Sequence, residues 1–428
     1  LAWHDLDSDG DPDFLMSAGS GGAPVLLRND GEIFTRVALS GPIAPVDQTG
    51  VIPLPNGQGA VRVILGLSNY EAPSSEASTV PSIISVEWGT GAVSGMSIAP
   101  RVQGLVSGNE SSVGPLAMAD YDGDGWLDLF VGGRVIPGRY PSAATSRLFR
   151  GRRDGSFEPD LRDPDIQNIG LVVGAVFSDI DVDGDPDLVL ALEWGSLRIL
   201  RNDRGRFRDA TVELGLSDAT SKWAAVSTGD FDADGRPDLI ATSWGENTEY
   251  QATVSHPLEV YFDDVDRNGT IEVLEAQYDA RIGASSPLIG LGRLSMALPS
   301  VMGRILNHAE YADADVGDAL GMWPEGRAQV TGFAHTIFLN RGDHFESMSL
   351  PNETQWAPSL GLAVADANGD GFDDIFLAQN FFATDEDSPR YDSGRGLWLR
   401  GDGSGGLEVV PVRESGVLAY GDQRGVSV

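Results

Sequence analysis

Carboxylates recur along this chain at alternate positions around a glycine. The first set is Asp5-Leu6-Asp7-Ser8-Asp9-Gly10-Asp11-Pro12-Asp13. It returns at Asp120, Asp122, Asp124, Gly125 and Asp128, at Asp179 to Asp187, and at Asp230 to Asp238. Asn takes the second slot in Asp366-Ala367-Asn368-Gly369-Asp370-Gly371-Phe372-Asp373-Asp374. A sixth set, Asp264-Val265-Asp266-Arg267-Asn268-Gly269, runs on to Glu272 and Glu275. Carboxylates packed this densely repel one another unless a hard cation sits among them. Oxygen donors at alternate positions, with Gly sixth for the sharp turn, are what Ca²⁺ requires. The expected cofactor is therefore Ca²⁺, five to six ions per chain. The expected role is structural: the cation fixes the turn, and its binding free energy adds to folding.

Other chemistry is sparse. The five His residues (4, 256, 308, 335 and 344) do not cluster in sequence, and there is no Cys. No Gly-x-Ser-x-Gly elbow and no Gly-rich phosphate loop occurs. An enzyme is not expected. The alternative is a polysaccharide-active enzyme on the same scaffold, with Glu193 or Asp385 beside Arg and Tyr as acid–base groups.

Short apolar runs flank each acidic loop and must position it. Pro115–Ala119, Gly174–Phe177, Trp223–Val226 and Gly361–Val364 lead in; Asp128–Val131, Asp187–Leu192, Asp238–Ala241 and Asp374–Ala378 lead out. Runs of this length bounded by Gly and Asp predict strand–loop–strand. A second repeat follows, a strand, a polar Gly turn and usually Phe, as in Leu26–Phe34, Leu148–Phe157, Ile199–Phe207 and Ile337–Phe345, with a degenerate copy at Leu397–Leu407. These predict hairpins. Loop plus hairpin makes a four-stranded unit, and the loop starts fall near the period of propeller blades. An extra blade without a metal loop is expected between the first two, with strands at Ala60–Leu65 and Ser82–Val86. The fold class is all-β, a single β-propeller over 1–428. Counting the Asp230 and Asp264 units separately gives seven blades, the preferred count; merging them gives six.

Residues 287–326 break the β pattern. Pro299, Val301, Met302, Ile305, Leu306 and Ala309 predict an amphipathic helix with Pro in its first turn. A second, about 313–320, ends at Gly321. This is a helical insertion in the Asp264 blade. The chain opens on Leu1-Ala2-Trp3-His4 and ends on Arg424-Gly-Val-Ser-Val428. Both read as the strand before a metal loop, in phase one circuit apart.

The 428 residues carry a net charge of -35 and 41% hydrophobic residues, enough for a core. Calcium would cancel part of that charge. The basic residues are 28 Arg and the single Lys222, and they form no basic patch to neutralise phosphates, so nucleic acid is excluded as a partner. No run of 18 or more apolar residues predicts a transmembrane helix. Without Cys, metal ions take over the bracing that disulfides give elsewhere.

The loops and hairpins resemble the FG-GAP or VCBS repeat family, the calcium-loop propellers that include the integrin α head. Gly133–Pro141, Asn307–Ala312, Gln355–Pro358 and Arg390–Gly394 are most similar to the bacterial relatives of cartilage acidic protein. Those often carry an ASPIC/UnbV domain, and these residues contain no such segment. The resemblance implies calcium held by side chains at loop positions one, three, five and nine and by the carbonyl at seven. That set is Asp5, Asp7, Asp9, Asp11 and Asp13; Asp120, Asp122, Asp124, Trp126 and Asp128; Asp179, Asp181, Asp183, Asp185 and Asp187; Asp230, Asp232, Asp234, Arg236 and Asp238; and Asp366, Asn368, Asp370, Phe372 and Asp374. The sixth loop offers Asp264, Asp266, Asn268, Thr270 and Glu272, with Glu275 at the twelfth position of an EF-hand. It departs from the family pattern, so a weaker or empty site is expected there.

Strands leaving the metal loops must cross to the other face. Seven steps from Asp187 to Trp194 span ~23 Å at ~3.3 Å each. This places Arg134, Glu193, Trp194, Trp244, Asn380 and Phe381 at the opposite rim, where long loops add Arg139, Tyr140, Arg390 and Tyr391. Two readings stand. The aromatics pack the central channel, or this face binds a protein or glycan at a cell surface. The expected protein is a secreted, cell-surface or periplasmic adhesion module. Its alternative is a structural subunit of a larger extracellular assembly docking through the helical insert.

Overall fold

The computed structural model describes residues 1–7, 9–31, 33–37, 39, 44, 46–55, 61–71, 77–89, 100–384 and 388–427. Ala60, Asp385 and Val428 fall outside them. Among the described residues there are seven antiparallel sheets of four strands, one with a fifth strand added. Blade 1 comprises Ala2–His4, Asp13–Met16, Val25–Asn29 and Phe34–Val37; blade 2, Gln48–Pro55, Val61–Leu67, Ile83–Trp88 and Arg101–Val106. Blade 3 comprises Ser112–Ala119, Asp128–Val135, Arg147–Gly151 and Phe157–Asp160. Blade 4 comprises Leu171–Ser178, Asp187–Ser196, Arg198–Asn202 and Phe207–Asp209, with Thr220–Lys222 paired to the far end of its second strand. Blade 6 comprises Ser359–Ala365, Asp374–Gln379, Leu397–Gly401 and Leu407–Val409.

The remaining two sheets are nested. Blade 5 starts with Ala225–Gly229 and Asp238–Thr242, then resumes at Thr336–Asn340 and Phe345–Ser349, with Ile240 opposite Ile337. The Asp264 sheet, Leu258–Asp263, Glu272–Asp279, Ala284–Pro287 and Gly326–Val330, lies wholly inside that connection. It is thus one of seven sheets but not a successive blade. The sequence reading placed it in the succession because its strand–loop–strand pattern is local, whereas the pairing of Ile240 with Ile337 is not.

Apolar side chains between successive sheets hold the blades together. The run Leu188-Val189-Leu190 shows how: Leu188 and Leu190 pack with Phe130 of blade 3, and Val189 packs with Leu239 of blade 5. The second strands of blades 3, 4 and 5 are buried on both faces, which explains their continuous apolar runs rather than polar alternation. Each fully buried aliphatic side chain contributes about 1.5–3 kcal/mol.

The helical insertion lies between Ala284–Pro287 and Gly326–Val330. Its predicted continuous helix is broken: Leu291–Ala297 is α-helical, Pro299–Gly303 is a 3₁₀ turn, and a new helix begins at His308. Asn307 caps that helix, its side chain accepting the N–H groups of Ala309 and Glu310. Asp315 caps Val316–Leu320, which Gly321 ends in the left-handed conformation at φ 73°. Val301 and Ile305 are buried against Leu274 and Ala276 of the inserted sheet.

Candidate metal centres and the opposite face

The metal loops share one hydrogen-bonding plan, which blade 4 illustrates. Asp179 accepts the N–H groups of Asp183 and Gly184 at 3.0 and 2.9 Å. Asp183 accepts from Asp185 at 2.9 Å. The turn needs φ 97° at Gly184, hence glycine at the sixth position. The ninth residue, Asp187, is fully buried and accepts from Ile180 (3.0 Å) and from Asn202 of the third strand (2.7 Å). Asp13, Asp128, Asp238 and Asp374 repeat both bonds in their own blades. The ninth carboxylate therefore ties loop to hairpin as well as facing the turn. At position seven, the N–H groups of Asp11, Trp126, Asp185, Arg236, Thr270 and Phe372 each donate to the fifth side chain.

These loops fit a hard cation. Carboxylate oxygens of Asp5, Asp7 and Asp13 come within 4.8 Å of one another, as do those of Asp120, Asp122 and Asp128, of Asp179, Asp181 and Asp187, of Asp230, Asp232 and Asp234, and of Asp264, Asp266 and Glu272. One oxygen (Oδ1) of each third-position residue Asp7, Asp122 and Asp232 is buried without a hydrogen-bond partner. An orphaned buried carboxylate oxygen is costly, and a cation removes the cost. The outer oxygens of Asp122 and Asp232 face Arg162 and Arg341, and that of Asp181 faces Arg201 at 3.3 Å. Burial, reinforced by neighbouring carboxylates, raises the pKa of Asp128, Asp187 and Asp238 to about 6. Bound Ca²⁺ would supply the positive charge that keeps them ionised.

Two loops depart from the plan. In the Asp366 loop, Asn368 accepts the Asp370 N–H at 2.8 Å and donates to its carboxylate at 2.8 Å. Asp266 likewise turns to Asn268, accepting its backbone and side-chain N–H groups at 3.1 and 3.0 Å. Glu272 fills the ninth role, accepting from Val265 at 2.8 Å. Glu275 does not join this loop, contrary to the EF-hand spacing. It lies three residues along the strand, where its carboxylate meets Lys222 at 3.2 Å and the Tyr250 hydroxyl at 2.8 Å.

At the far end of the strands the aromatic residues are largely packed. Trp194 is 7% exposed, and its indole N–H donates to the Tyr140 hydroxyl, which donates to Glu193 at 2.9 Å. Arg134 pairs with Glu193 at 2.7 Å. Trp194 and Asn380 both adopt the left-handed backbone, at φ 60° and 84°, a strained choice for residues with side chains. Asn380 is buried and holds the backbone of Gly394 by two hydrogen bonds. Trp244 packs on Phe381 and Tyr391, with ring centroids 5.2 and 5.3 Å away. Arg139 and Arg390 are exposed, the latter over the Phe382 ring at 3.9 Å.

Sequence reasoning missed the centre of this face. Lys222 is buried, with its ammonium 4.9, 5.0 and 5.4 Å from the ring centroids of Trp194, Trp244 and Tyr250. Its carboxylate partner, Glu275, belongs to the inserted sheet, so this cage clasps that sheet onto blade 4. The available signal was that a chain with 28 Arg keeps one Lys. A flat guanidinium does not replace a compact ammonium among three rings.

Arg134 and Tyr140 also line an open cavity of ≈ 390 Å³ between blades 2 and 3. Asp47, Thr49, Ser68, Tyr70, Glu71 and Ser112 share its walls.

The FG-GAP-like repeat family matches this chain at residues 120–190 and 179–241, spanning blades 3 and 4 and the start of blade 5. No curated protein sequence matches the chain. Among solved structures, the V. cholerae biofilm matrix protein Bap1 is similar at TM-score 0.38 and 12% identity, covering 95% of this chain and 78% of that one. A Lactobacillus plantarum protein gives 0.35 and 8%, covering 95% and 97%. Saccharomyces cerevisiae Sqt1 gives 0.32 and 10%, covering 96% and 98%. These likenesses are too distant to inform function. No described helix is long and apolar enough to cross a membrane.

Proposed function

We propose that this chain is a calcium-braced, extracytoplasmic propeller that binds a glycan on the face opposite its metal loops. Within the FG-GAP-like class we place it beside the bacterial relatives of cartilage acidic protein. The observation that carries the binding reading is the cavity between blades 2 and 3. It combines a ring (Tyr70, 62% exposed), a guanidinium (Arg134), carboxylates (Asp47 and Glu71) and hydroxyls (Thr49, Ser68 and Ser112). Stacking surface beside paired donors and acceptors is what polyhydroxylated rings require. Trp194, which shares the Lys222 cage with Trp244, braces one wall of this surface through its hydrogen bond to the Tyr140 hydroxyl. Catalysis is not part of the proposal, because Glu193 is engaged by both Arg134 and Tyr140.

The test is calorimetric titration of the calcium-loaded protein with a panel of acidic and neutral oligosaccharides. Tyr70→Ala and Arg134→Ala should each weaken the best binder at least tenfold without changing the melting temperature. Unchanged affinity in both variants, or no binder in the panel, overturns the glycan reading.

A second reading, docking through the insertion, is favoured by its exposed apolar residues. Met296, Leu306 and Trp323 are 77%, 70% and 54% exposed. Met296→Glu with Leu306→Glu should then abolish association while the free chain melts as before. Association that survives the double change rejects it.

A further inference from the structure

Another group of side chains meets on the face opposite the metal loops, between blades 5 and 6. Glu246 and Asn247 follow the second strand of blade 5, the 3₁₀ turn Asn352–Trp356 joins blade 5 to blade 6, and Ser393 precedes the third strand of blade 6. With Gln355 they line a shallow, open cavity of ≈ 460 Å³.

The turn is fastened from several sides. Gln355 is 3% exposed; its amide oxygen accepts the His335 N–H at 2.8 Å, and its NH₂ donates to the His335 and Leu350 carbonyls at 3.0 and 3.3 Å. Its own carbonyl accepts the N–H groups of Glu246 and Asn247 at 2.9 and 3.1 Å. The Gln379 side chain donates to the Thr354 carbonyl at 3.2 Å. The Asn247 NH₂ is spent on the Trp356 carbonyl and the Ser393 hydroxyl, at 3.0 and 3.3 Å. Gln355 and Ala357 are buried, and between them Trp356 is turned outward, 47% exposed. Among the described residues no ring packs on its indole and no group accepts its N–H. An exposed indole alone says little. Here the frame is fixed in advance, so a ligand meets a ring and polar atoms that need no ordering.

The lining decides the ligand. It offers one flat apolar ring, one carboxylate (Glu246), amides (Asn247 and Asn352) and a hydroxyl (Ser393), and no cation. A neutral sugar ring matches this set. Its C–H face stacks on the indole, while its hydroxyls donate to Glu246 and the Asn247 amide oxygen and accept from the Asn352 amide. A uronic acid would set its anion beside Glu246 with no guanidinium or ammonium in the lining to answer it. The cavity between blades 2 and 3 differs on this point, because Arg134 lines it.

We propose that the cavity between blades 5 and 6 is a second, separate site, which binds a neutral sugar ring on Trp356. It shares no lining residue with the cavity between blades 2 and 3 and stands whether or not that cavity binds.

Labelling the calcium-loaded protein with 5-fluorotryptophan gives each of its nine indoles a ¹⁹F signal, and Trp356→Phe assigns the one at this site. Neutral hexasaccharides of glucose, mannose, galactose and N-acetylglucosamine are titrated to about 10 mM, which reaches millimolar affinity. At least one should move the Trp356 signal in a saturable way. By calorimetry, Trp356→Ala should weaken that oligosaccharide at least tenfold and Glu246→Ala at least fivefold, with melting temperatures unchanged. Tyr70→Ala should leave its affinity as it was, and a hexasaccharide of uronic acid should bind at least tenfold more weakly. A Trp356 signal that stays still with all four neutral sugars overturns the proposal, as does equal affinity for the uronic acid. Binding that survives Trp356→Ala but is lost in Tyr70→Ala also overturns it, and assigns the sugar to the cavity between blades 2 and 3 instead.

Discussion

Replacing Asp187 with Asn separates its two roles, hydrogen-bond acceptor and cation ligand. Asp187 is fully buried, accepts two backbone N–H groups, and has its pKa raised to about 6 by burial and by Asp181. Against an ordinary value near 3.9, keeping it ionised at pH 7.5 costs the metal-free fold about 3 kcal/mol. Asn removes that cost but turns an NH₂ toward one donor, which costs about 1–3 kcal/mol. The two nearly cancel, so in chelator the variant and wild type should melt within ~2 °C of each other. Calcium at a hundredfold excess over its Kd adds about 2.7 kcal/mol per site. The melting entropy of a chain this size is about 0.9 kcal/mol/K, so one site is worth ~3 °C and the five acidic clusters together ~15 °C. Calorimetric melting in calcium and in chelator is the assay. The variant should lose ~3 °C of the calcium-dependent rise and little else. An equal loss of several degrees in both buffers would refute the ligand role and leave the carboxylate as an acceptor alone. The pH sign follows from the same ionisation. A folded pKa above the unfolded one gives stability that is full below about 4 and lost as pH rises through about 6. Between pH 5 and 7, chelated wild type should therefore lose stability relative to the Asn variant.

Further outcomes follow from the same geometry. Glu275→Gln should leave the number of bound calcium ions unchanged, whereas Glu272→Gln removes one, as read by equilibrium dialysis. Lys222→Met should destabilise the fold by about 3 kcal/mol by leaving Glu275 without its cation, and adding Glu275→Gln should recover part of that, as read by a double-mutant cycle in urea. His335 is fully buried, accepting the Ser243 N–H and facing the Ala357 carbonyl, and burial lowers its pKa to about 4. Its ring resonance should stay that of neutral imidazole down to about pH 4, so its contribution is kept above about 6.5 and lost as pH falls toward 4. An NMR titration midpoint near 6.5 would contradict that burial.

The turn geometry of the acidic loops was legible because every constraint on it is local. The Gly184 turn, the carboxylates that cap it and the strands on either side all fall within a dozen residues. Glu275 was misplaced because two local templates overlap there. Spacing from Asp264 fits an EF-hand, but Glu272 already occupies the ninth position and accepts from Val265, and the strand then carries Glu275 to Lys222. The break in the helical insertion was legible in principle. Asn307-His-Ala-Glu310 is a capping-box pattern and marks a helix start at His308. The Lys222 cage was not legible, because its members come from blade 4, the added strand at 220–222, the loop after Thr242 and the inserted sheet.

Placing the Asp264 sheet outside the succession changes where the seventh blade lies. Inner strands of blades 1 to 6 fill six positions around the ring. The approach of Gly361 to Gly425, and of Gly425 to Leu1, fills the seventh with residues 425–427. The preferred count of seven holds for the sheets among the described residues, but the Asp264 sheet is not one of the successive blades. The Asp264 sheet answers to Lys222 and Tyr250 on the face opposite the acidic loops, while residues 425–427 lie beside Gly361 and Trp398 of blade 6 and Leu1 and Trp3 of blade 1. Residues 425–427 run between blades 6 and 1, with Val426 and Ser427 beside Trp398 and the Trp3 indole N–H donating to the Ser427 carbonyl.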